Sequence, residues 1–367
     1  MSADESTEKQ QPLPTIGIDL GGTQIRAAVL RGAQICARAW RLTGEDPTPE
    51  RVLPRIHVTV EEVLAQAQIA LRDVVGVGVA APGPLDNRTG TLYAPPNLLS
   101  WHAVPLKDLL TEAYQAPVFV EHDANAAALG EYLFGAGQGC QEMVYLTVST
   151  GIGGGVITNG RLLEGVNGTA SELGHLTIDW QGERCACGNV GCLEALASGR
   201  AIARQANEAI ARGQGAELLA FARTMLEHTT TVPDKGALPQ QDFSTRPLDP
   251  AAAAAEDGPQ ETEVKVTSQT VARAAEAGIP LARAIITRAA EALGVGLVNI
   301  LHIFSPQVVI LGGGVMQMGS MLLEPALSIV QERTMRANLA GARIVQAQLG
   351  ENAGLIGAGA LPLSARP

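Results

Sequence analysis

One histidine and three cysteines lie close together in this sequence. His175 is followed by Cys185, Cys187 and Cys192, and glycines separate the last two cysteines. Three thiolates and one imidazole make a common tetrahedral ligand set for Zn²⁺, and a closed set of four leaves no position for a reactive water. The spacing therefore predicts a structural zinc ion that folds and stiffens a loop.

Two carboxylates, Glu172 and Glu194, bracket this cluster. If the metal shell is full, they are free to face another group, and carboxylates on a rigid loop suit a polyhydroxylated ligand. A disulfide between Cys185 and Cys187 would be strained, because residues this close in sequence reach the required dihedral angle poorly. Three reduced thiols without a metal remain the alternative.

Glycine-rich turns recur along the chain. Strand–turn–strand hairpins are predicted at 15–30 and 143–158, and a third glycine cluster ends a predicted buried strand that begins at Val308. A single hairpin is usually only a tight turn, but two suggest a duplicated α/β architecture that holds phosphate between its halves. The third cluster could admit an adenine–ribose unit. The groups expected to approach phosphate are glycine N–H groups and threonine hydroxyls, at Gly21, Gly22, Thr23, Thr150, Gly151 and Gly153.

Asp123 is the candidate catalytic residue. A predicted strand at 118–121 ends just before it, and a predicted helix runs from His122 to about Phe134. In open α/β sheets the ligand crevice lies at such strand ends. The alternative is that Asp123 only caps the helix. Asn125 could do this instead, and we interpret His122 as a structural histidine.

Other elements follow from apolar patterns and capping residues. We predict a strand at 74–80, a helix capped by Ser198, a helix from Pro280 to about Ile303, and a final helix over about 352–363. Between about 229 and 265 the periodicity fails, since prolines, threonines and an alanine run lie among acidic residues. We interpret this stretch as a flexible, partly disordered insertion, with a regulatory or partner-binding segment as the alternative.

Composition narrows the functional classes. The 367 residues suggest about two domains, and a net charge of −11 argues against nucleic acid and anionic membrane surfaces. Residues 1–14 are polar and contain no secretory leader pattern. The apolar run at 293–311 is broken by Ser305-Pro306 and is too short to span a bilayer. We therefore expect a cytoplasmic protein, in which Cys36 and Cys140 are reduced core thiols.

Taken in order, the motifs resemble the ROK family, which groups sugar kinases with sugar-responsive repressors. The resemblance covers about residues 15–364 without the insertion. It is carried by Asp19-Leu-Gly-Gly-Thr23, Pro96-Asn97-Leu-x-x-Trp101, Glu121-x-Asp123-Ala-Asn125, Thr150-Gly-x-Gly-Gly154, Glu172-x-x-His175 and Cys185-x-Cys187-Gly-x-x-Gly-Cys192-Leu-Glu194.

The resemblance implies an α/β protein with the actin-like, ribonuclease-H-like ATPase fold, in which two α/β domains flank a cleft. The implied organisation is a flexible tail at 1–14, a small domain at 15–122 and a large domain with the zinc loop at 123–351. A helix at about 352–364 returns to the small domain. We also expect a homodimer or homotetramer.

The implied activity is ATP-dependent phosphorylation of a hexose at O6, most simply of D-glucose, with Mg²⁺ bound with the nucleotide. Asp123 would be the general base, and His175 would both touch sugar and ligate zinc. The implied sugar contacts are Gly83, Pro84, Asn97, His122, Asp123, Glu172, His175 and Glu194. The implied nucleotide contacts are Asp19, Gly21, Gly22, Thr23, Thr150, Gly151, Gly153, Gly313 and Gly314.

The sequence departs from the family pattern at two positions. His122 stands where the family commonly has Asn, and Gln24 where it often has Lys, so Arg26 or Mg²⁺ would have to supply the missing positive charge. The alternatives are a kinase of N-acetylmannosamine, N-acetylglucosamine or fructose, or a repressor. A repressor would carry a helix-turn-helix domain before the first glycine turn, and residues 1–14 are too few for one.

Overall fold

The structure, a computed structural model, describes residues 12–166, 168–230 and 264–364. The predicted tail at 1–14 and the predicted insertion at 229–265 lie for the most part outside the described residues. The chain divides into two compact units. The first comprises the residues up to Tyr145, Gly154–Ser171 and those from Val345 onward, and the second comprises Leu146–Gly153 and Glu172–Ile344. The domain bounds expected from the sequence remain a prediction.

Strands dominate the first part of the chain. In order, the elements are β1 (Thr15–Leu20), β2 (Gln24–Arg31), β3 (Gln34–Leu42), α1 (Pro49–Ala67), β4 (Val77–Ala81), β5 (Leu85–Asp86), β6 (Thr91–Leu92), β7 (Val104–Pro105), α2 (Leu106–Tyr114), β8 (Val118–His122) and α3 (Asp123–Phe134).

Helices dominate the remainder. They follow three strands and alternate with two more: β9 (Met143–Val148), β10 (Ile152–Thr158), β11 (Arg161–Leu162), α4 (Leu193–Ala197), α5 (Gly199–Ala211), α6 (Ala216–Thr230), α7 (Ser268–Glu276), α8 (Pro280–Phe304), β12 (Val308–Gly312), α9 (Ser320–Arg333), α10 (Arg336–Ala340), β13 (Arg343–Gln346) and α11 (Ala353–Ser364).

The first unit is built on a five-stranded sheet with the order β3-β2-β1-β4-β8. The predicted hairpin is present, since β1 and β2 pair antiparallel across the glycine turn, whereas β1, β4 and β8 run parallel. Asp19 pairs with Ala80, and Ala80 pairs with Glu121, so the carboxyl ends of the three parallel strands are in register. The loops that follow these strands therefore start from one edge of the sheet.

Helices cover both faces of this sheet. On one side α1 buries Val52, Ile56 and Val60, and the three- to four-residue spacing puts them on one helical stripe against β2 and β3. On the other side α11 packs on β1, β4 and α3. Gly17 and Gly78 are neighbours in the register of β1 and β4, and a Cβ at either would collide with the α11 backbone. Glycine at these two positions lets the helix lie directly on the strands.

A second five-stranded sheet has the order β11-β10-β9-β12-β13, and β5, β6 and β7 form a small third sheet. In the second unit α8 packs against α4, α7 and α9. Among the described residues, α8 alone is long and apolar enough to cross a membrane, but 67% of its most apolar window is buried inside the protein. The helix therefore uses its apolar surface in core packing.

Several local predictions are confirmed. The Ser198 hydroxyl accepts from the N–H of Ala201 at the start of α5, and the helix predicted from Pro280 extends to Phe304. Cys140 is buried as expected. The prediction for Cys36 is wrong, because it lies on the exposed side of the edge strand β3 and is not a core thiol.

Candidate active site

Asp123 lies at the junction of β8 and α3, as its sequence context predicts. Its Oδ1 accepts the N–H of Ala124 at 2.7 Å and lies 2.8 Å from Nδ1 of His122. The side chain remains 54% exposed. Both contacts use Oδ1, so Oδ2 is left to accept a proton from a ligand.

The His122 ring lowers the pKa of Asp123. Desolvation by the surrounding protein on its own raises this pKa, but the charge and ring N–H of His122, together with the N–H of Ala124, outweigh it and hold the pKa below its ordinary value. Because about half of the side chain is exposed, solvent screens each of these effects. Asp123 is therefore ionised at neutral pH, as a general base must be.

Replacing His122 by Asn is expected to raise the pKa of Asp123, since desolvation is then opposed mainly by the N–H of Ala124. The reason is the loss of the ring that favours the ionised form. Since only the carboxylate can take a proton, activity falls as pH drops through this pKa, and the acid limb of kcat should move to higher pH. Carbon-13 NMR titration of the carboxyl group measures the shift directly. The exposed His102 supplies the control His102→Asn, and an Asp123 pKa equal in both variants would contradict the assignment.

Asn125 does not cap the helix, so the alternative raised for it is wrong. Residue 122 is in the N-cap position without a side-chain cap hydrogen bond, and Asn125 is buried. Its Nδ2 donates to Glu121 Oε1 at 3.0 Å. Asn125 thus belongs to a buried polar group beneath the strand–helix junction.

Gly83 lies so close to the His122 ring that a residue with a side chain would not fit at position 83. A Cβ at Gly83 would lie 2.7 Å from His122 Nε2. Pro84 follows it, and the loop leads into β5. The predicted sugar-bordering loop and the Asp123 region are therefore adjacent within the first unit.

Asn97 and the first glycine turn also come together. The loop bearing Asn97 is anchored by buried Trp101, whose Nε1 donates to the Pro47 carbonyl at 2.7 Å, while Asn97 itself is exposed. A Cβ at Gly22 would collide with the Asn97 side chain. The turn is held from the other side by the hydroxyl of Thr43, which donates to the Gly21 carbonyl at 2.7 Å. Thr23 is exposed beside it.

The Asp19 carboxylate is already paired. Arg26 Nε donates to Asp19 Oδ2 at 3.0 Å, and Arg26 Nη1 donates to the carbonyl of Glu351 at 3.1 Å. Both of these contacts of Arg26 lie within the first unit. Arg26 is therefore poorly placed to supply the positive charge of the lysine that the family often has where this chain has Gln24, which leaves Mg²⁺ as the other expected source of that charge.

The four predicted zinc ligands converge. One ligand atom from each residue lies within 4.8 Å of the others, with Cys187 Sγ 3.7 Å from Cys192 Sγ and Cys185 Sγ 3.7 Å from His175 Nδ1. A tetrahedral Zn²⁺ with bonds of about 2.3 Å to sulfur and about 2.05 Å to nitrogen would separate two sulfurs by about 3.8 Å and sulfur from nitrogen by about 3.6 Å. The two distances of 3.7 Å agree with these values, so this part of the cluster has the dimensions of a metal site.

The two ring nitrogens of His175 point to different groups. Nδ1 faces the thiols, whereas Nε2 lies 4.0 Å from Glu172 Oε2. A histidine with one nitrogen on a metal has its orientation fixed and presents the other nitrogen outward. The expected double use of His175 is therefore geometrically available.

The thiols differ in acidity. Burial raises the pKa of Cys192 to about 12, and the neighbouring Cys185 and Cys187 add to this effect. Burial also raises the pKa of Cys185, whereas the N–H of Asn189 lowers that of exposed Cys187. Metal binding to such thiols releases protons, so a metal ion held by this cluster would be lost as the pH falls.

Glu194 links the cysteine cluster to the second glycine turn. Its Oε2 accepts the N–H of Ile152 at 2.9 Å, and its Oε1 lies 3.9 Å from Cys185 Sγ. A Cβ at Gly151 would lie 2.5 Å from Glu194 Oε2. Thr150 is held through its carbonyl, which accepts the N–H of Arg200 at 3.2 Å. The carboxylate expected to touch sugar thus also orders the turn expected to hold phosphate.

The third glycine cluster has two distinct members. Gly313 has φ +94° and lies so close to the Val148 carbonyl that a Cβ would collide with it. Gly314 has open space where a Cβ would be. Both glycines are exposed, but only Gly313 requires glycine, because of its positive φ and its close approach to Val148. Gly153 lies within β10.

Sequence reasoning missed one group beside Asp123. Glu121 is buried and accepts hydrogen bonds from Asn87 and Asn125. Glu121 and Asn125 are part of the recognised motif, but Asn87 lies 34 residues before Glu121 in a turn, and no pattern connects them.

The fold and site have known relatives. The chain belongs to the ROK family, whose sequence model matches residues 15–364. A crystal structure of a ROK family glucokinase from Streptomyces griseus, in complex with glucose and AMPPNP, superposes with a TM-score of 0.71 at 32% identity and covers 96% of this chain and 100% of its own. The predicted family and actin-like α/β fold are confirmed.

Curated relatives include both functional branches of the family. A glucokinase of Halalkalibacterium halodurans is 32% identical across 94% of this chain and 93% of its own length. A xylose repressor of Caldicellulosiruptor bescii is 28% identical across 95% of this chain, but this match covers only 78% of the repressor. The likeness thus extends over nearly the whole glucokinase and over part of the repressor.

Proposed function

We propose that this protein is a glucokinase, which transfers the γ-phosphoryl group of ATP to O6 of D-glucose. The observation that carries the proposal is the Asp123 carboxylate, which is held through Oδ1 by His122 and Ala124 and exposed at a strand–helix junction. Similarity to glucokinases along almost the entire chain supports it.

In this reaction Asp123 acts as the general base. As O6 attacks the γ-phosphorus, Oδ2 of Asp123 takes the O6 proton, an O6–P bond forms and the P–O bond to ADP breaks. Because its pKa is lowered, Asp123 is a weak base. The O6 proton is therefore transferred late, when the O6–P bond is already forming, and positioning of the reactants contributes most of the rate enhancement. The hydrogen bonds to Oδ1 orient Oδ2 towards the sugar hydroxyl.

Phosphate binding is assigned to backbone N–H groups and hydroxyls of the glycine turns. The proposed contacts are Gly21, Gly22, Thr23, Thr150, Gly151 and Gly153, with Asp19 at the end of β1 and Gly313 and Gly314 towards adenosine. Mg²⁺ bound with the nucleotide would neutralise phosphate charge. Exposed N–H groups in tight turns suit anionic oxygens.

The metal of the cysteine cluster is proposed to be Zn²⁺, held by His175, Cys185, Cys187 and Cys192. Three sulfurs and one imidazole nitrogen favour zinc over oxygen-seeking metals. Its chemistry is structural: it stiffens the loop that carries Glu172 and Glu194. Ordering these carboxylates in advance lowers the entropy cost of sugar binding.

The sugar contacts are proposed to be Asn97, His122, Glu172, His175 and Glu194, with Gly83 and Pro84 at the edge. Such a set offers a hydrogen-bond partner to each equatorial hydroxyl of glucose. A second possibility, another ROK sugar kinase, uses the same residues with a different sugar. We further propose a cytoplasmic homodimer or homotetramer.

Glucose is expected to be the best substrate in a panel of sugars assayed for ADP release with ATP and Mg²⁺. A sugar that lacks or inverts one hydroxyl leaves a buried group unpaired, which costs about 1–3 kcal/mol. Its kcat/KM should therefore fall roughly ten- to hundredfold. Reactions without sugar measure background hydrolysis. Faster turnover of N-acetylmannosamine, N-acetylglucosamine or fructose than of glucose would overturn the glucose assignment, and absence of turnover with every sugar would overturn the kinase.

A further inference from the structure

A buried carboxylate lies directly beneath the Asp123 junction. Glu121 is 4% exposed and accepts three hydrogen bonds. The donors are the N–H of His122 at 2.8 Å, Nδ2 of Asn125 at 3.0 Å and Nδ2 of Asn87 at 2.9 Å. Three donors meeting one carboxylate suit its ionised form, because that form only accepts.

The three donors come from three different elements of the first unit. His122 ends β8 directly before Asp123, Asn125 lies in the first turn of α3, and Asn87 belongs to the turn between β5 and β6. The bonds from His122 and Asn125 tie the end of β8 to the start of α3, so the backbone on either side of Asp123 is fixed. The bond from Asn87 ties this junction to the neighbouring turn.

We propose that Glu121 is a positioning residue for the catalytic base Asp123. It acts through His122 and Asn125 and does not touch the reacting atoms. Hydrogen bonds to a buried charged acceptor are short, directional and stronger than neutral ones, so they restrict the junction more than ordinary helix capping would. This inference rests on the proposed function, in which Asp123 accepts the O6 proton.

Glu131 offers a matched control on the same helix. It is also fully buried, and its carboxylate accepts the N–H of Ala136 at 2.9 Å and of Leu349 at 2.7 Å. These bonds lie at the far end of α3, away from Asp123. Changing each glutamate to glutamine therefore removes a similar buried charge, close to the base in one case and distant from it in the other.

The test compares Glu121→Gln and Glu131→Gln with the wild type. Glu121→Gln is expected to lower kcat roughly ten- to hundredfold, because small misplacements of a reacting group cost up to about 10²-fold. Its dissociation constant for glucose, measured by calorimetry, should stay within about threefold of wild type. Both variants should lower the melting temperature by similar amounts, because each loses a buried carboxylate acceptor. Glu131→Gln should nevertheless leave kcat within about twofold of wild type.

A second-site change tests the geometry. In Glu121→Gln/Asn87→Asp, the new Gln amide can donate to the new Asp carboxylate, which restores the bond with its polarity reversed. This pair is expected to recover several-fold of the kcat lost in Glu121→Gln. Should Glu121→Gln fold poorly, Asn87→Ser removes one of the three bonds from the turn side and is expected to lower kcat about three- to tenfold at unchanged glucose affinity.

The outcomes separate the two proposals. An active wild type in which Glu121→Gln keeps the kcat of Glu131→Gln, or loses only glucose affinity, would overturn the role of Glu121 alone. A wild type that phosphorylates no sugar would overturn the proposed function, and this inference with it. A selective fall in kcat for Glu121→Gln, partly reversed in the double variant, would support positioning.

Discussion

Asp123→Asn is expected to lower kcat by about 10²–10⁴-fold and to leave the dissociation constant for glucose within about threefold. Asparagine keeps the shape of the side chain and can still accept the N–H of Ala124, but it cannot take a proton. A general base acts on the chemical step, so the loss falls on kcat. Coupled measurement of ADP release and calorimetric titration with glucose separate the two quantities.

The control for this variant is another acidic residue in a first helical turn. Asp108 is in the first turn of α2, and Asp108→Asn removes a charge near a helix N-terminus without touching the site. Such charges are worth about 0.3–1 kcal/mol of helix stability. We expect kcat of Asp108→Asn within about twofold of wild type. If Asp123→Asn behaved the same way, Asp123 would be only a helix-terminal residue.

Cys187→Ser is expected to abolish zinc binding and to lower the melting temperature by about 10 °C or more. Three remaining ligands hold structural zinc poorly, and in small zinc domains the binding energy is folding energy. In a domain of about 150–250 residues, each kcal/mol of lost folding free energy lowers the melting temperature by about 2–4 °C. A loss of several kcal/mol therefore gives the expected shift. Elemental analysis gives the zinc content, which should fall from about one ion per chain to a small fraction.

Cys36→Ser is the matched control, since Cys36 is also an exposed thiol but lies outside the cluster. Its zinc content and melting temperature should equal those of the wild type. Glucose affinity should fall in Cys187→Ser alone, because Glu172 and Glu194 lose the ordered loop. Wild-type protein free of zinc, or a Cys187→Ser protein that retains it, would disprove the metal assignment.

The sequence predicts features that depend on near neighbours along the chain. The proposed zinc ligands fall within one short segment, and the end of β8 and the start of α3 follow from an apolar run and a polar junction, so both could be predicted from local sequence. Contacts between distant residues could not. The bond between Asn87 and Glu121 depends on the turn after β5 packing beside β8, and no residue pattern encodes that approach.

Side-chain direction is the second limit on prediction. The sequence supplies His122, Arg26 and Asn125, but not the groups they face. The sequence favours a structural or sugar-contacting role for His122, but it does not reveal that Nδ1 of the ring faces Asp123. Arg26 was a candidate to compensate for Gln24, and it instead pairs with Asp19. Several rotamers were open to each residue, and the packed neighbours select among them.

The glycines that admit α11 onto β1 and β4 have a consequence for biosynthesis. Gly17 is among the earliest residues of the described chain to be made, yet its packing partner Leu355 is synthesised more than 300 residues later. Until the ribosome has released α11, one face of the first sheet lacks its cover, and such exposed apolar surface favours aggregation. We expect the first unit to mature only after α11 emerges, so its nascent chain depends on chaperones for most of translation.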